Sequence, residues 1–192
     1  MDLLELFSYG FIRHALLAGL LMSVACGITG TYIVARRMVF ISGGITHASF
    51  GGVGMGYFFG FPPLAGAAIV AVLAALTTEN LTRRKVLRND SIIAILWSLG
   101  MAIGIIFVYL TPGYAPNLMS FLFGSIITVS STDLWLMLAL ALTVSAVFIL
   151  FYKPILYVAF DEQFARVRGI PVMFINYLII VLVALTIVLS IR

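Results

Sequence analysis

Apolar residues occur along this chain in long, nearly uninterrupted blocks. Six blocks approach the ~20 residues that an α-helix needs to cross a hydrocarbon core of ~30 Å. A transmembrane β-barrel would instead show alternating polarity. The pattern therefore predicts an all-α integral membrane protein with about six transmembrane helices, over residues 15–35, 39–60, 64–78, 91–110, 134–152 and 172–191.

A seventh apolar segment, residues 117–129, is shorter and follows the break TPGYAP. As a helix it would be only about 20 Å long, too short to span a membrane alone. Short helices at membrane depth are tolerated against protein or a water-filled cavity, and they accompany solute pathways in transporters. We expect a partial helix on the outer side, with Asn117 and Ser120 as weak pathway candidates. An amphipathic helix on the outer surface is the alternative.

Composition supports the membrane assignment and the charges orient the chain. Of its 192 residues, 63% are hydrophobic and 9% are charged, against about 25% charged in soluble domains. The net charge of +4 gives no reason to expect nucleic acid as a partner, because the basic residues lie between the apolar blocks. Lys and Arg concentrate in cytoplasmic loops of membrane proteins. The N-terminus is therefore predicted outside, since alternate loops contain Arg36, Arg37, Arg83, Arg84, Lys85, Arg88, Lys153, Arg166 and Arg168.

The block VFISGGITHASFGGVGMGYFFG, residues 39–60, carries a stripe of small residues at every fourth position. In lipid, such a stripe lets the backbone of a second helix approach closely. The stripe predicts that this helix is packed inside the bundle. Its members are Gly44, Ala48, Gly52, Gly56 and Gly60.

His47 lies on the same helix, about 12 Å from its start, near the midplane where transporter sites tend to lie. Gly43 and Gly51 stand one turn away on either side, so no bulky neighbour on its own helix covers the imidazole. An ionisable group at this depth needs a partner. Two readings stay open: a residue of a translocation pathway, with Thr46 and Ser49 as weaker candidates, or a neutral histidine hydrogen-bonded across helices. One histidine does not make a metal cage, because zinc takes about four ligands, and a weak site suits conduction.

The polar stretch FDEQFARVRGIPV carries the start and stop signals of a short helix at about residues 160–169. Phe164 is an aromatic anchor on a charged background, a composition typical of docking surfaces. We predict a two-turn helix that docks a partner, and an ordinary solvated connector is the alternative. The signals are Asp161 as N-cap, Glu162 in the first turn, Arg166 and Arg168 in the last turn, and Gly169 as the stop.

Three segments resemble the permease subunits of bacterial ABC importers for zinc, manganese or iron(II): VFISGGITHASFGGVGMGY, SFLFGSIITVSSTDLW and VAFDEQFARVRGI. The resemblance implies that His47 lies on the metal pathway and that the third segment is the coupling helix, which docks in a groove of the ATP-binding subunit. The family commonly has an aspartate four residues before the histidine, and here that position is Gly43. The family usually has about eight crossings, so the chain resembles a truncated or short member.

The resemblance implies a single transmembrane permease domain, residues 1–192, of an ATP-driven importer in the bacterial inner membrane. The divalent metal is the transported substrate, and no permanently bound cofactor is expected. The chain is expected to be a transport subunit and not an enzyme. It has no G-x-x-x-x-G-K-[ST] motif, so ATP would be bound and hydrolysed by a separate partner. The implied partners are an ATP-binding cassette ATPase, an extracytoplasmic metal-binding protein, membrane lipid and a second copy forming a homodimer. A secondary transporter or channel without an ATPase and a non-transporting membrane scaffold are the alternatives.

Overall fold

The computed structural model describes residues 9–85, 87–112 and 124–191. Within these ranges the chain forms helices and no strand, so the all-α prediction is confirmed. The helices are α1 (Gly10–Ala35), α2 (Phe40–Phe59), α3 (Pro63–Arg83), α4 (Asn89–Leu110), α5 (Ser131–Leu150), α6 (Tyr152–Phe160), α7 (Glu162–Val167) and α8 (Val172–Ser190), with a 3-10 turn at Ile126–Thr128.

Five of the described helices are long and apolar enough to cross a membrane: α1, α3, α4, α5 and α8. The remaining predicted crossing, α2, has 20 residues, which gives the ~30 Å length of a membrane span. Its glycines and polar residues lower its hydropathy below that of the other five. The chain is thus a multi-pass membrane protein.

Two features between α4 and α7 differ from the simple pattern of crossings. The partial helix predicted for residues 117–129 lies partly outside the described residues. Asn117 and Ser120 both lie outside them. The described end of this segment contains the 3-10 turn Ile126–Thr128. After α5 the backbone turns at Phe151, and a separate nine-residue helix, α6, follows. Pro154 stands in the first turn of α6, where its missing N–H leaves no intrahelical bond unmade.

The helices pack in two groups that α8 joins. In one group α2 lies between α3 and α4, and in the other α1 packs against α5. The central helix α8 contacts α3 and α1, and it is the most buried of the five candidate spans. The main hydrophobic core combines side chains of α2, α3 and α8, including Ile41, Ala71 and Ile179.

The small residues of α2 bring its backbone into direct contact with both neighbours. A Cβ added at Gly52 would overlap the carbonyl oxygen of Gly66 on α3. On the other side, a Cβ at Gly51 would lie 3.0 Å from the carbonyl oxygen of Gly100 on α4. Of the five residues of the stripe, Gly44 and Ala48 face α4, and Gly52 and Gly56 face α3 and the turn before it.

Gly60 takes no part in this packing. It ends α2 with φ at +76°, in the left-handed region, and nothing lies within 4 Å of a Cβ placed there. A glycine is favoured at such a position because other L-residues are strained in this conformation. Its place in the four-residue repeat therefore has a backbone cause rather than a packing cause.

We predict that Gly52→Ala lowers the free energy of unfolding by about 1–3 kcal/mol, because the added methyl must push α2 and α3 apart. Gly27→Ala on α1 is the matched control, since nothing lies within 4 Å of a Cβ there and alanine favours helix. Thermal unfolding of the purified protein in detergent measures both. Equal melting temperatures for Gly52→Ala and wild type would contradict the backbone contact.

Candidate functional site

The ends of several helices meet at one end of the bundle, here called the basic end. Arg36 follows the last residue of α1 and donates a hydrogen bond from Nη2 to Oε1 of Glu162 on α7, at 2.8 Å. Asn176 of α8 donates from Nδ2 to the same oxygen at 3.1 Å. The basic loops after α1 and α3, the segment of α6 and α7, and the start of α8 therefore share this end.

The short helix α7 is fixed at both ends by its own sequence. Oδ1 of Asp161 accepts hydrogen bonds from the backbone N–H groups of Gln163 and Phe164, both at 2.9 Å, which satisfies two donors that a helix start leaves open. Gly169 lies beyond the other end with φ at +73°, and its N–H donates to the carbonyl of Arg166 at 3.0 Å. A six-residue helix with these caps is a defined structural element.

The outward face of α7 carries two apolar side chains between basic ones. Phe164 is 41% exposed; its ring lies edge-on to Tyr157 of α6 at 5.4 Å, and the guanidinium of Arg168 lies 5.2 Å from its centre. Val167 is 89% exposed. Sequence reasoning missed Val167, although its position three residues after Phe164 places both on one helix face. Together with Arg166 and Arg168 they form a surface suited to an apolar groove with an acidic rim.

Glu162 differs from the other residues predicted for coupling, because its carboxylate points into the bundle. It belongs to a cluster of charged and amide side chains, here called the polar junction. Within it, Nη1 of Arg83 lies 3.8 Å from Oε1 of Glu79 on α3, and Glu79 is within electrostatic range of Asn176 and Arg36. Glu79 is only 6% exposed and Asn176 only 4%. The polar junction consists of Arg36, Glu79, Arg83, Glu162 and Asn176.

Sequence reasoning missed Glu79 and Asn176. The available signal was a carboxylate and an amide near the ends of apolar blocks, where polar side chains are costly to bury unless they are paired.

The polar junction keeps Glu162 ionised at neutral pH. Burial alone would raise the pKa of this carboxyl, but hydrogen bonds from Arg36 and Asn176, together with the charges of Arg36 and Arg83, hold the pKa below its usual value. Hydrogen bonds and positive charges favour the carboxylate form. The contact between α7 and α1 is therefore a charge-assisted one.

His47 lies against α4. Its imidazole stacks on the indole of Trp97, with ring centres 4.1 Å apart and planes 11° from parallel. The indole also covers Gly43, since a Cβ there would lie 3.5 Å from Cζ3 of Trp97. Nδ1 of His47 is inaccessible to solvent and has no hydrogen-bond partner among the described residues.

The two hydroxyl residues beside His47 are occupied by their own helix. Thr46 donates to the carbonyl of Ser42 at 2.9 Å, and Ser49 donates to the carbonyl of Thr46 at 2.7 Å. Ser49 lies on a different side of α2, where it lines a cavity of about 380 Å³ with Tyr57, Ser125 and Thr128. His47 does not line this cavity. The structure therefore separates His47 from Ser49, although both are on α2.

No metal cage is formed by the described part of the chain. Its residues contain no group of three or more His, Cys, Asp or Glu side chains close enough to hold one ion. The single histidine on α2 is paired with an aromatic ring instead of a carboxylate.

The described residues thus form a multi-pass membrane bundle with a short capped helix exposed beside its basic loops. The ABC 3 transport family matches residues 8–192, and the chain belongs to this family.

Two relatives are similar to this chain over nearly its whole length. An uncharacterized membrane protein of Synechocystis sp., slr2045, is 42% identical over 97% of this chain and 66% of its own length. The manganese transport system membrane protein MntC of Halalkalibacterium halodurans is 36% identical over 98% of this chain and 64% of its own. The chain thus spans just under two thirds of the length of these relatives.

A solved structure shares the fold. PsaBC from Streptococcus pneumoniae, in complex with a Fab, superposes with a TM-score of 0.82 at 28% identity, covering 97% of this chain and 67% of the other. The arrangement of helices described above is therefore one that this solved structure also adopts.

We predict that the stack of His47 on Trp97 is visible in fluorescence. In a Trp135→Phe background Trp97 is the only tryptophan, since the chain has two. Removing the stacked imidazole with His47→Ala relieves its quenching of the indole, so the emission of Trp97 rises. His14→Ala is the control, because His14 is on α1 with Nδ1 near the carbonyl of Val129. An equal rise in both variants would contradict the stacked geometry.

Proposed function

We propose that this chain belongs to the membrane permease of an ATP-driven importer that carries a divalent transition metal ion, zinc, manganese or iron(II), across the inner membrane. The membership of the ABC 3 transport family supports the transport role. The manganese transport proteins among the relatives support the choice of cargo. The metal is substrate in this proposal and not a resident cofactor.

The observation in this chain that carries the proposal is α7. It is capped at both ends, presents Phe164 and Val167, and is held to the membrane helices through Glu162. This is the construction that a docking element needs, because an apolar anchor must be presented on a rigid frame to bind well. The proposed partner is a separate ATP-binding cassette ATPase, which would supply the energy of ATP hydrolysis.

The remaining assembly follows from this partner. The ATPase is cytoplasmic, so the basic end faces the cytoplasm and the N-terminus lies outside, in agreement with the positive-inside rule. A metal-binding protein would deliver the ion on the outer side. A second copy of the permease would complete a central pathway, and lipid would surround the outer helices.

His47 is the proposed pathway residue within the membrane. Its Nδ1, which has no hydrogen-bond partner among the described residues, supports this role. In the part of the chain that the structure describes, no group of three or more His, Cys, Asp or Glu side chains could hold an ion, so an ion at His47 would keep most of its water ligands and bind weakly. Weak binding suits passage, because an ion must leave as well as enter. Thr46, Ser49, Asn117 and Ser120 stay weaker predictions.

We predict that His47→Ala abolishes ATP-dependent metal uptake while the permease still assembles with its ATPase. Uptake of zinc, manganese and iron(II) is measured in proteoliposomes that contain this permease, the ATPase and the binding protein. His14→Ala is the matched histidine control and keeps wild-type uptake. Uptake that survives His47→Ala would assign His47 to packing. Import without the ATPase would favour a secondary transporter, and no flux of any of the three ions would favour a scaffold.

We predict that Phe164→Ala and Val167→Ala each weaken binding of the ATPase about tenfold, as expected for truncated anchors. Val167→Ala is the cleaner variant, because Phe164 also packs on Tyr157 within the chain. Leu87→Ala is the control, an exposed apolar residue between α3 and α4 that is outside α7. Binding is measured between purified subunits in detergent. Unchanged affinity of both α7 variants would refute docking through this face.

A further inference from the structure

The polar junction ties α7 to three membrane helices at once. Through Glu162, α7 is bonded to Arg36 at the end of α1 and to Asn176 on α8. Arg36 also donates from Nη1 to the carbonyl of Val158 on α6, at 3.0 Å. Helix α3 packs against α8, and its ion pair between Arg83 and Glu79 lies at the same end, within electrostatic range of Asn176 and Arg36. Two carboxylates and two guanidinium groups are thereby balanced in a mostly buried place.

A displacement of α7 cannot leave these partners behind at low cost. If Glu162 moved away alone, Arg36 would lose its carboxylate and keep only the carbonyl of Val158 as a hydrogen-bond partner, and Nδ2 of Asn176 would lose its hydrogen bond. Removing one partner of a buried charged or hydrogen-bonded group is strongly unfavourable, more so than losing an exposed pair. Movement of α7 is therefore expected to draw α1 and α8 with it, or to exchange one set of bonds for another.

The polar junction also has groups that such an exchange requires. Oδ1 of Asn176 and Nη1 of Arg83 are both inaccessible to solvent and have no hydrogen-bond partner among the described residues, although Nη1 of Arg83 lies in an ion pair with Glu79 at 3.8 Å. One is an acceptor on α8 and the other is a donor on α3. A second arrangement, in which Arg83 donates to Asn176, is chemically complementary and would shift α3 relative to α8.

The position of α3 bears directly on His47. Gly66 of α3 and Gly52 of α2 are in backbone contact, and thirteen residues, about 20 Å of helix, separate Gly66 from Glu79. Since a helix of that length moves as a stiff rod and no side chain lies between the two backbones, a shift of α3 at the basic end carries α2 along. His47 and its stack on Trp97 then change position relative to α4.

We propose that the polar junction is a two-state linkage that transmits movement of α7 to α2, with Glu79 and Asn176 as its positioning residues. This inference rests on the proposed docking of an ATPase on α7. Neither Glu79 nor Asn176 lies on α7, so changing them leaves the docking face intact. Their loss is expected to separate ATP hydrolysis from movement in the membrane.

The variants Asn176→Leu and Glu79→Gln test the linkage, because each roughly keeps the size of the side chain: the first removes the hydrogen bonds of the amide, and the second removes the negative charge of the carboxylate. Two controls at the same end are Asn80→Leu and Asp90→Asn, since both side chains are exposed and outside the polar junction. Affinity for the ATPase is measured first, and metal ions imported per ATP hydrolysed second. We expect wild-type affinity in all four variants and a loss of at least about fivefold in ions per ATP in the two junction variants only.

The emission of Trp97 provides a readout that needs no metal transport. In the Trp135→Phe background, addition of the ATPase with ATP is expected to change the emission, and Asn176→Leu and Glu79→Gln are expected to abolish this change. If the wild type imports no metal but shows this response and the variants lose it, the cargo proposal fails and the linkage stands.

Two results would overturn the linkage. One is wild-type import per ATP and a wild-type emission response in junction variants that assemble normally. The other is failure of both variants to assemble while both controls assemble, since the polar junction would then only hold the fold together.

Discussion

Direct backbone contact between α2 and its two neighbours is the constraint on which the other features depend. Apolar burial does not drive helices together in lipid, so close approach of backbones supplies the packing. At Gly52 and Gly66 the contact is so close that a single methyl group has no room. This contact fixes the rotation of α2, and the rotation in turn directs His47 toward α4 and Ser49 toward the cavity beside α3.

The sequence predicts the secondary structure well because long apolar blocks have few alternatives in a membrane. The stripe on α2 likewise predicts close packing, but it does not say which helices are the neighbours. That choice depends on matching glycines far along the chain, Gly66 on α3 and Gly100 on α4. Helix α6 was not predicted as a separate helix, because the apolar character of α5 continues past the turn at Phe151 through Ile155 to Ala159.

The candidate site is less predictable than the fold, for a physical reason. A polar side chain inside an apolar block indicates that a partner is needed, but the sequence does not show which residue the partner is. That depends on the tertiary arrangement. Glu79, Glu162 and Asn176 are separated by up to 97 positions along the chain, yet they meet at the basic end. His47 and Trp97 are likewise far apart, by 50 positions, and their pairing carries no motif.

The polar groups of the bundle have two different environments, and each environment suits a different role. At the basic end, opposite charges are balanced and share hydrogen bonds, which makes the group costly to separate and suited to carrying force. On α2, one imidazole faces an aromatic ring and keeps a nitrogen without a partner. For such a nitrogen, binding any ligand that reaches it is energetically favourable. A single protein ligand, however, cannot hold a metal ion for long. In the proposed transporter, α7 thus makes strong bonds to the helices that it moves, whereas α2 offers only a weak bond to the passing ion.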